Sequence, residues 1–171
     1  ASSLCAFCNS KTLFKLAKID SLCESYFTDI RDQEKLNNLI KKISPDIVIH
    51  MAALPLVRES YLDPIATFNT NIMGTVIVLD SLIGIDNLRT VICVTTDKVY
   101  ANHNTNKPYK EEDRLGGHDP YSASKAASEI VISCYRNAFL IKQGVGLATV
   151  RAGNVIGGGD WSKDRIIPDA I

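Results

Sequence analysis

"RTVICVTT", residues 89–96, is an uninterrupted apolar run closed by two threonines, and Asp97 and Lys98 follow at once. A run this short, rich in β-branched residues and without period-two alternation, is the pattern of a strand inside a parallel sheet. Two further runs match it, "DIVIHMAA" at 46–53 and "GLATVRA" at 146–152. The first of these reads as a strand buried on both faces. Helical patterns separate them. In "DQEKLNNLIKKI", residues 32–43, Asp32 is placed to cap the helix, and Leu36, Leu39, Ile40 and Ile43 fall at i, i+3, i+4 and i+7; Pro45 ends it. Residues 63–85 read as one long helix, with Pro64 in its first turn and Gly84 near its end. "DPYSASKAASEIVISCYRNAF", residues 119–139, reads as another, with Asp119 as N-cap and Pro120 at the first helical position. "ESYFTDI", 24–30, is a weaker strand candidate, and the final "RIIPDAI" looks like a helix just starting. Strands alternating with helices of ten or more residues predict an α/β fold, a doubly wound parallel sheet with helices on both faces.

In such sheets ligands bind beyond the carboxyl ends of the strands. Three polar clusters fall at those ends: His50 to Ala53, Thr96-Asp97-Lys98, and Arg151 to Asp160. Their agreement points to a site there.

The rest of the chain narrows the function classes. Its 171 residues suit one domain or most of one, and an apolar fraction of 46% is ample for a core. Nineteen basic and nineteen acidic residues cancel, so no basic footprint argues for nucleic acid or an anionic membrane. The longest apolar stretches are far short of the ~20 residues a membrane span needs, and no signal-peptide pattern opens the chain. With no initiating Met, it reads as a piece of a longer protein. Cys5 and Cys8 form a CxxC, but no second pair or His pair follows at zinc spacing, and Cys93 lies in a strand. Five cysteines without a framework fit a reducing cytoplasm, and no metal site is expected.

The chemistry starts from the helix at 119–139. Tyr121 lies in its first turn, and Lys125 follows one turn later on the same face. A phenol ionises near pH ~10 and is a poor base at neutrality. A neighbouring cation and the positive end of a helix are the local features that favour its phenolate, and "YSASK" supplies both. Tyr121 can then take a proton from a sugar hydroxyl while hydride leaves the carbon. The adjacent Asp97 and Lys98 pair an acid with a base at a strand end, as an elimination requires; a surface ion pair in a turn is the alternative. To reach one substrate both must lie in the turn, since neighbouring strand residues face opposite ways. Lys98 must also be neutral when it acts, through burial or the charge of Lys125. "GGGD" at 157–160 lacks the GxxxxGK pattern of a phosphate loop and reads as a flexible substrate loop.

"HMAA", "NTNIMGT", "TTDKVY" and "YSASK", in this order, resemble the extended short-chain dehydrogenase/reductases of the NAD-dependent epimerase/dehydratase superfamily, over the chain from about Thr12. Within it, "DIRD", "HMAALPLVRESY", "LGGHDPYSASK" and "RAGNVIGGGDWSKDRIIPD" closely resemble CDP-glucose 4,6-dehydratases. The resemblance implies a Rossmann-type fold over residues 1–171, with the start of a substrate-binding region at about 153–171, and NAD as cofactor. It implies that Tyr121 and Lys125 are the base and its partner. Thr96 would hydrogen-bond the sugar at its reacting carbon, and Asp97 would help the 6-hydroxyl leave. Lys98 would be the C5 base, standing where the dTDP-glucose enzymes carry a glutamate. Asp29 and Ile30 would lie beside the adenine, and Met51, Ala52 and Ala53 at the strand end under the cofactor. Asn71 would brace the site from the long helix. Asn154 would lie near the substrate pyrophosphate and Arg165 near its nucleotide.

Two regions of that pattern are missing here, the GxxGxxG turn and the C-terminal substrate part, and Leu54 and Val99 replace the expected Gln and Cys. A nucleotide sugar, rather than nucleic acid or membrane, is the expected partner, and a homo-oligomer the expected state of the full-length protein. Open alternatives are a dehydratase or epimerase on another nucleotide sugar (UDP-N-acetylglucosamine or dTDP-glucose), or a non-catalytic dinucleotide-binding protein.

Overall fold

A computed structural model of the chain describes residues 13–102, 107–157, 159–162, 164 and 166–170. They fall into two compact units, Asp29–Gly153 on the one hand and the two flanking segments, up to Thr28 and from Asn154, on the other.

The unit Asp29–Gly153 is built on three parallel strands, β1 (Ile47–His50), β2 (Thr90–Val94) and β3 (Gly146–Val150), in the order β1-β2-β3. The register sets His50 beside Cys93 and Cys93 beside Thr149, so the three carboxyl ends share one edge. Helix α1 (Gln33–Ile43) starts where Asp32 accepts from the Lys35 amide at 3.2 Å, and it stops at Ser44, which takes a left-handed conformation before Pro45. A short helix α2 (Val57–Leu62) comes first, and the long helix expected at 63–85 runs without a break over Pro64–Asp80, as α3 (Pro64–Phe68), a π-helical turn (Asn69–Met73) and α4 (Gly74–Asp80). Asp63 caps α3 through the Ala66 amide at 2.9 Å, with Pro64 at its first position. Helix α5 (Pro120–Ala138) begins as read, the Asp119 carboxylate accepting from the Ser122 amide at 2.9 Å.

Each step along the sheet moves one place in the same direction, so the crossover helices fall on one face. There Leu79 of α4, Ile132 of α5, Val91 and Cys93 of β2 and Leu147 of β3 form one core, with Leu82 and Leu140 also fully buried; Val48 and Ile40 pack against it. Truncating Leu79 or Leu82 to Ala is worth about 2–5 kcal/mol of stability. The π turn brings Gly74 against Ile30, whose Cγ1 would lie 2.9 Å from a Cβ placed there, so glycine alone permits this approach.

Two strand expectations are corrected. β1 is not buried on both faces: Ile47 is 61% and Ile49 59% exposed. The described helices line one face of the sheet, and the side chains that alternate to the other face, Ile47, Ile49 and Val150, have no layer over them among the described residues. The candidate at 24–30 forms no strand, since a strand needs a hydrogen-bonding neighbour and none pairs with it among the described residues; Tyr26 and Phe27 are exposed.

The second unit has little regular structure. It contains a helical turn at Leu13–Leu16, a 3₁₀ turn at Ile19–Ser21, and a short helix at Ile166–Asp169 where the sequence shows one starting. Among the described residues, no helix is long and apolar enough to cross a membrane.

Candidate functional site

β2 ends at Val94, and the chain turns immediately, as acid and base on one side require. Asp97–Val99 form a single 3₁₀ turn, capped by Thr96, whose Oγ1 accepts from the Lys98 amide at 3.4 Å. Thr96 is buried, and its hydroxyl donates to Asp97 Oδ1 at 3.1 Å. Lys98 Nζ donates to the same oxygen at 3.2 Å. The Asp97 amide donates to the Ala152 carbonyl at 3.0 Å, tying the turn to the segment after β3. Thr96, Asp97 and Lys98 therefore form one hydrogen-bonded group. The sequence reading looked to burial or to Lys125 to neutralise Lys98; the residue is not buried, since its side chain is 43% exposed and paired with Asp97.

The turn packs against α5. Tyr121, in the first turn of that helix, is buried, and its amide donates to Ser60 Oγ at 3.2 Å. Among the described residues its hydroxyl has no hydrogen-bond partner. A hydroxyl left without a protein partner is available to a bound molecule. Gly117 is what lets the preceding loop lie against this turn, since a Cβ there would meet Ser122 Cβ at 2.8 Å. Lys125 is also buried, with Nζ donating to the Val94 carbonyl at 3.0 Å. Burial pulls its amine below the ordinary lysine value, against the opposing pull of Glu129.

Beneath it lies His50. Thr75 Oγ1 gives its only proton to the Asn71 carbonyl at 2.6 Å, so His50 Nε2 must donate to that hydroxyl at 3.0 Å. Burial, with Lys125 nearby, pushes the imidazole down to about 4 and keeps it neutral. Burial pushes the Cys93 thiol up to about 12, so it is an inert core residue.

Asn71 is fully buried in the π turn, and its side chain joins three places. Oδ1 accepts from the Leu54 amide at 2.8 Å, and Nδ2 donates to the Leu54 carbonyl at 3.1 Å and to Ser124 Oγ at 2.9 Å. Its amide oxygen and its amide nitrogen are both engaged inside the protein, which makes it a brace between the end of β1 and the helix turn carrying Lys125. Such π turns recur at functional sites.

The expected cofactor wall is less uniform. Met51 and Ala52 are exposed beyond the end of β1, and Ala53 is half-buried. Asp29 is gripped by Arg31 through three side-chain contacts of 2.6–3.2 Å, which holds its carboxyl down at about 2. Ile30 faces Gly74 of α4. Asn154 is exposed in the other unit, and Arg165 lies outside the described residues.

The sequence reading named Arg151 only as the start of a polar strand-end cluster and passed over Glu129, its partner. Glu129 is buried on α5, and Arg151 grips it with two bonds of 3.0 Å each. Burial opposes the Glu129 charge, but Arg151, Thr95 and Thr149 outweigh it and hold the carboxyl below its usual range. The one available signal was an acid at i+4 from Lys125, on the face of the helix turned inward.

The chain is 50% identical over 165 residues to a CDP-glucose 4,6-dehydratase of Salmonella typhimurium, covering 94% of this chain and 46% of that protein. It is 33% identical over 156 residues to a dTDP-D-glucose 4,6-dehydratase of Dictyostelium discoideum, covering 85% and 35%. Among solved structures, a dTDP-glucose 4,6-dehydratase double mutant from Streptomyces venezuelae with NAD bound superposes with a TM-score of 0.77 at 27% identity, covering 90% of this chain and 46% of that one. The chain thus spans about half the length of the curated relatives it matches or less, and its parallel sheet is of the Rossmann type. The family model for GDP-mannose 4,6 dehydratase matches residues 3–151, and the chain belongs to that family.

Proposed function

We propose that this chain carries the catalytic residues of a CDP-glucose 4,6-dehydratase, which converts CDP-glucose to CDP-4-keto-6-deoxyglucose and water. The observation that carries the reading is the Thr96-Asp97-Lys98 group, an acid hydrogen-bonded to a base in a turn that packs against the helix of Tyr121 and Lys125. A simple epimerase or dehydrogenase of this fold needs the tyrosine and lysine but not the adjacent pair. The half-identical relative favours CDP-glucose, and the lysine at 98 argues against dTDP-glucose, while an Asp–Lys pair is also compatible with UDP-N-acetylglucosamine.

The residues fit NAD: Tyr121, whose hydroxyl has no protein partner among the described residues, and the buried Lys125 stand on one helix, Lys125 near His50 at the end of β1, after which Met51 and Ala52 are exposed. Met51, Ala52, Ala53, Tyr121 and Lys125 would hold it, with Asp29 and Ile30 at its adenine end and Asn71 bracing the wall. When bound, NAD accepts hydride from C4 and returns it to C6. Tyr121 takes the 4-hydroxyl proton, and Thr96 holds that oxygen. The 4-ketone acidifies C5, so Lys98 removes that proton while Asp97 protonates the departing 6-oxygen as water. Lys98 returns a proton to C5 at the end. The proton gained at Tyr121 offsets the one given by Asp97, so water is the only loss from the sugar.

The exposed Asp97–Lys98 ion pair is one proton transfer away from this acid–base pair. Moving the shared proton along the 3.2 Å bond leaves a neutral amine and a neutral acid together. Water favours the ions; a bound sugar that excludes water favours the neutral pair. Asn154 and Arg165 would contact the substrate diphosphate and nucleotide, with residues from about 153 onward opening the substrate region. Cytoplasmic location and a homo-oligomeric full-length protein complete the reading. Its test is product formation by the protein encoded by the whole reading frame, assayed on CDP-, dTDP- and UDP-sugars. Keto-deoxy product from CDP-glucose supports the reading; turnover of another nucleotide sugar alone corrects the substrate, and epimerisation without loss of water overturns the chemistry.

A further inference from the structure

We propose that the buried Glu129–Arg151 pair is a clamp that positions the Thr96-Asp97-Lys98 turn. The clamp rests on the dehydratase reading for its consequence, but not for its geometry. Glu129 comes from α5 and Arg151 is the first residue after β3; their side chains are 5% and 16% exposed. Two arms run from this pair to the two ends of the turn. On the near side, Thr95 Oγ1 donates to Glu129 Oε1 at 2.5 Å. On the far side, Arg151 Nη1 donates to the Tyr100 hydroxyl at 3.0 Å, and the guanidinium lies 5.0 Å from the centre of that ring. Tyr100 is itself stacked on Tyr109, with ring centres 4.7 Å apart, and Arg151 also donates to the Glu111 carbonyl at 3.0 Å. Residues 95 and 100 bracket the four residues that hold the acid and the base.

A pair serving stability alone has no need of this arrangement. Buried ion pairs are replaceable by apolar packing with little loss, and they are kept where they fix one geometry among several. Here each charge, besides its partner, bonds one group flanking the turn, Thr95 for Glu129 and Tyr100 for Arg151. The turn's own tethers, Asp97 to Ala152 and Val99 to Gly116, are single backbone bonds. Arg is required, since lysine lacks the planar fork that reaches Glu129, Tyr100 and Glu111 together.

Thr95→Val and Tyr100→Phe each remove one arm and leave both charges paired, and neither residue touches the reacting atoms. In the protein encoded by the whole reading frame, each is expected to speed amide exchange at Asp97 about tenfold or more. Each should lower kcat on CDP-glucose about tenfold, with KM within about twofold. Deuterium exchange at C5 should fall with kcat, while single-turnover NADH formation changes less than about threefold. The double variant should lose little beyond the worse single one, because both arms act through one pair. Arg151→Lys should leave kcat depressed. Unchanged Asp97 amide exchange in both arm variants overturns the clamp, whatever the activity. Equal losses in NADH formation and C5 exchange also overturn it, since the pair then holds the helix and not the turn. A wild type that makes no keto-deoxy sugar sinks the functional reading alone, and amide exchange still decides the clamp.

Discussion

Tyr121 and Lys125 sit at the start of a 19-residue helix and are 8% and 7% exposed, whereas Asp97 and Lys98 sit in a three-residue turn with side chains 53% and 43% exposed. The first pair is fixed by the fold itself. An aspartate cap, a proline, a glycine approach and the Asn71 brace hold that helix end before any ligand arrives. The second pair is held at the level of the turn, and its charges still face water. The difference matches the two kinds of chemistry proposed. Proton removal from the 4-hydroxyl needs a rigid base in a dry wall. Elimination needs an acid and a base that are stable as ions until the sugar covers them.

The largest expected effect breaks the rigid half. Tyr121→Phe should lower C4 oxidation about 10²–10⁴-fold, while the nucleotide sugar still binds. Single-turnover NADH formation with titrated CDP-glucose checks both, and near wild-type oxidation would make Tyr121 a packing residue. Next comes the brace. Asn71→Ala leaves the Leu54 amide and carbonyl without their side-chain partner and removes the bond that Ser124 Oγ accepts, while Ser124 keeps its own bond to the Tyr121 carbonyl. The expected loss of stability is about 2–4 kcal/mol, read by denaturant unfolding. Oxidation at C4 should suffer more than any property of the Asp97–Lys98 turn.

A smaller effect comes through pH. His50 has a folded value of about 4 against an ordinary 6.5, so it is neutral in the fold and gains a proton on unfolding below pH 6.5. Its contribution is therefore fully present above about pH 6.5 and is lost as pH falls toward 4, amounting to about 3 kcal/mol across that window. His50→Asn should flatten the decline in stability between pH 6.5 and 4, measured against wild type. An unchanged slope would mean that other groups carry it.

The two halves also differ in how far the sequence revealed them. Tyr121 and Lys125 were legible because Asp119 and Pro120 mark a helix start, and four-residue spacing fixes their common face. The turn at 97–99 was legible as polar residues closing an apolar strand. What was hidden depends on contacts between distant elements. The Glu129–Arg151 pair joins residues 22 apart on a helix and a strand end, and no local pattern announces such a partner. The π turn at Asn69–Met73 was hidden because a single wide turn keeps helical periodicity around it. β1 was misread because the run "IVI" is apolar throughout, and an apolar run says nothing about which faces receive a layer.

The central claim is that the two halves act in sequence, oxidation by the buried pair and elimination by the exposed one. Lys98→Met tests it most directly. The variant, mixed with CDP-glucose in deuterated solvent, should form enzyme-bound NADH at close to the wild-type rate and then stall. Nicotinamide absorbance should accumulate, C5 should not exchange, and little keto-deoxy sugar should appear. Keto-deoxy sugar at the wild-type rate would contradict the account by assigning the C5 base elsewhere, and the absence of any NADH would show that Lys98 serves binding and not elimination.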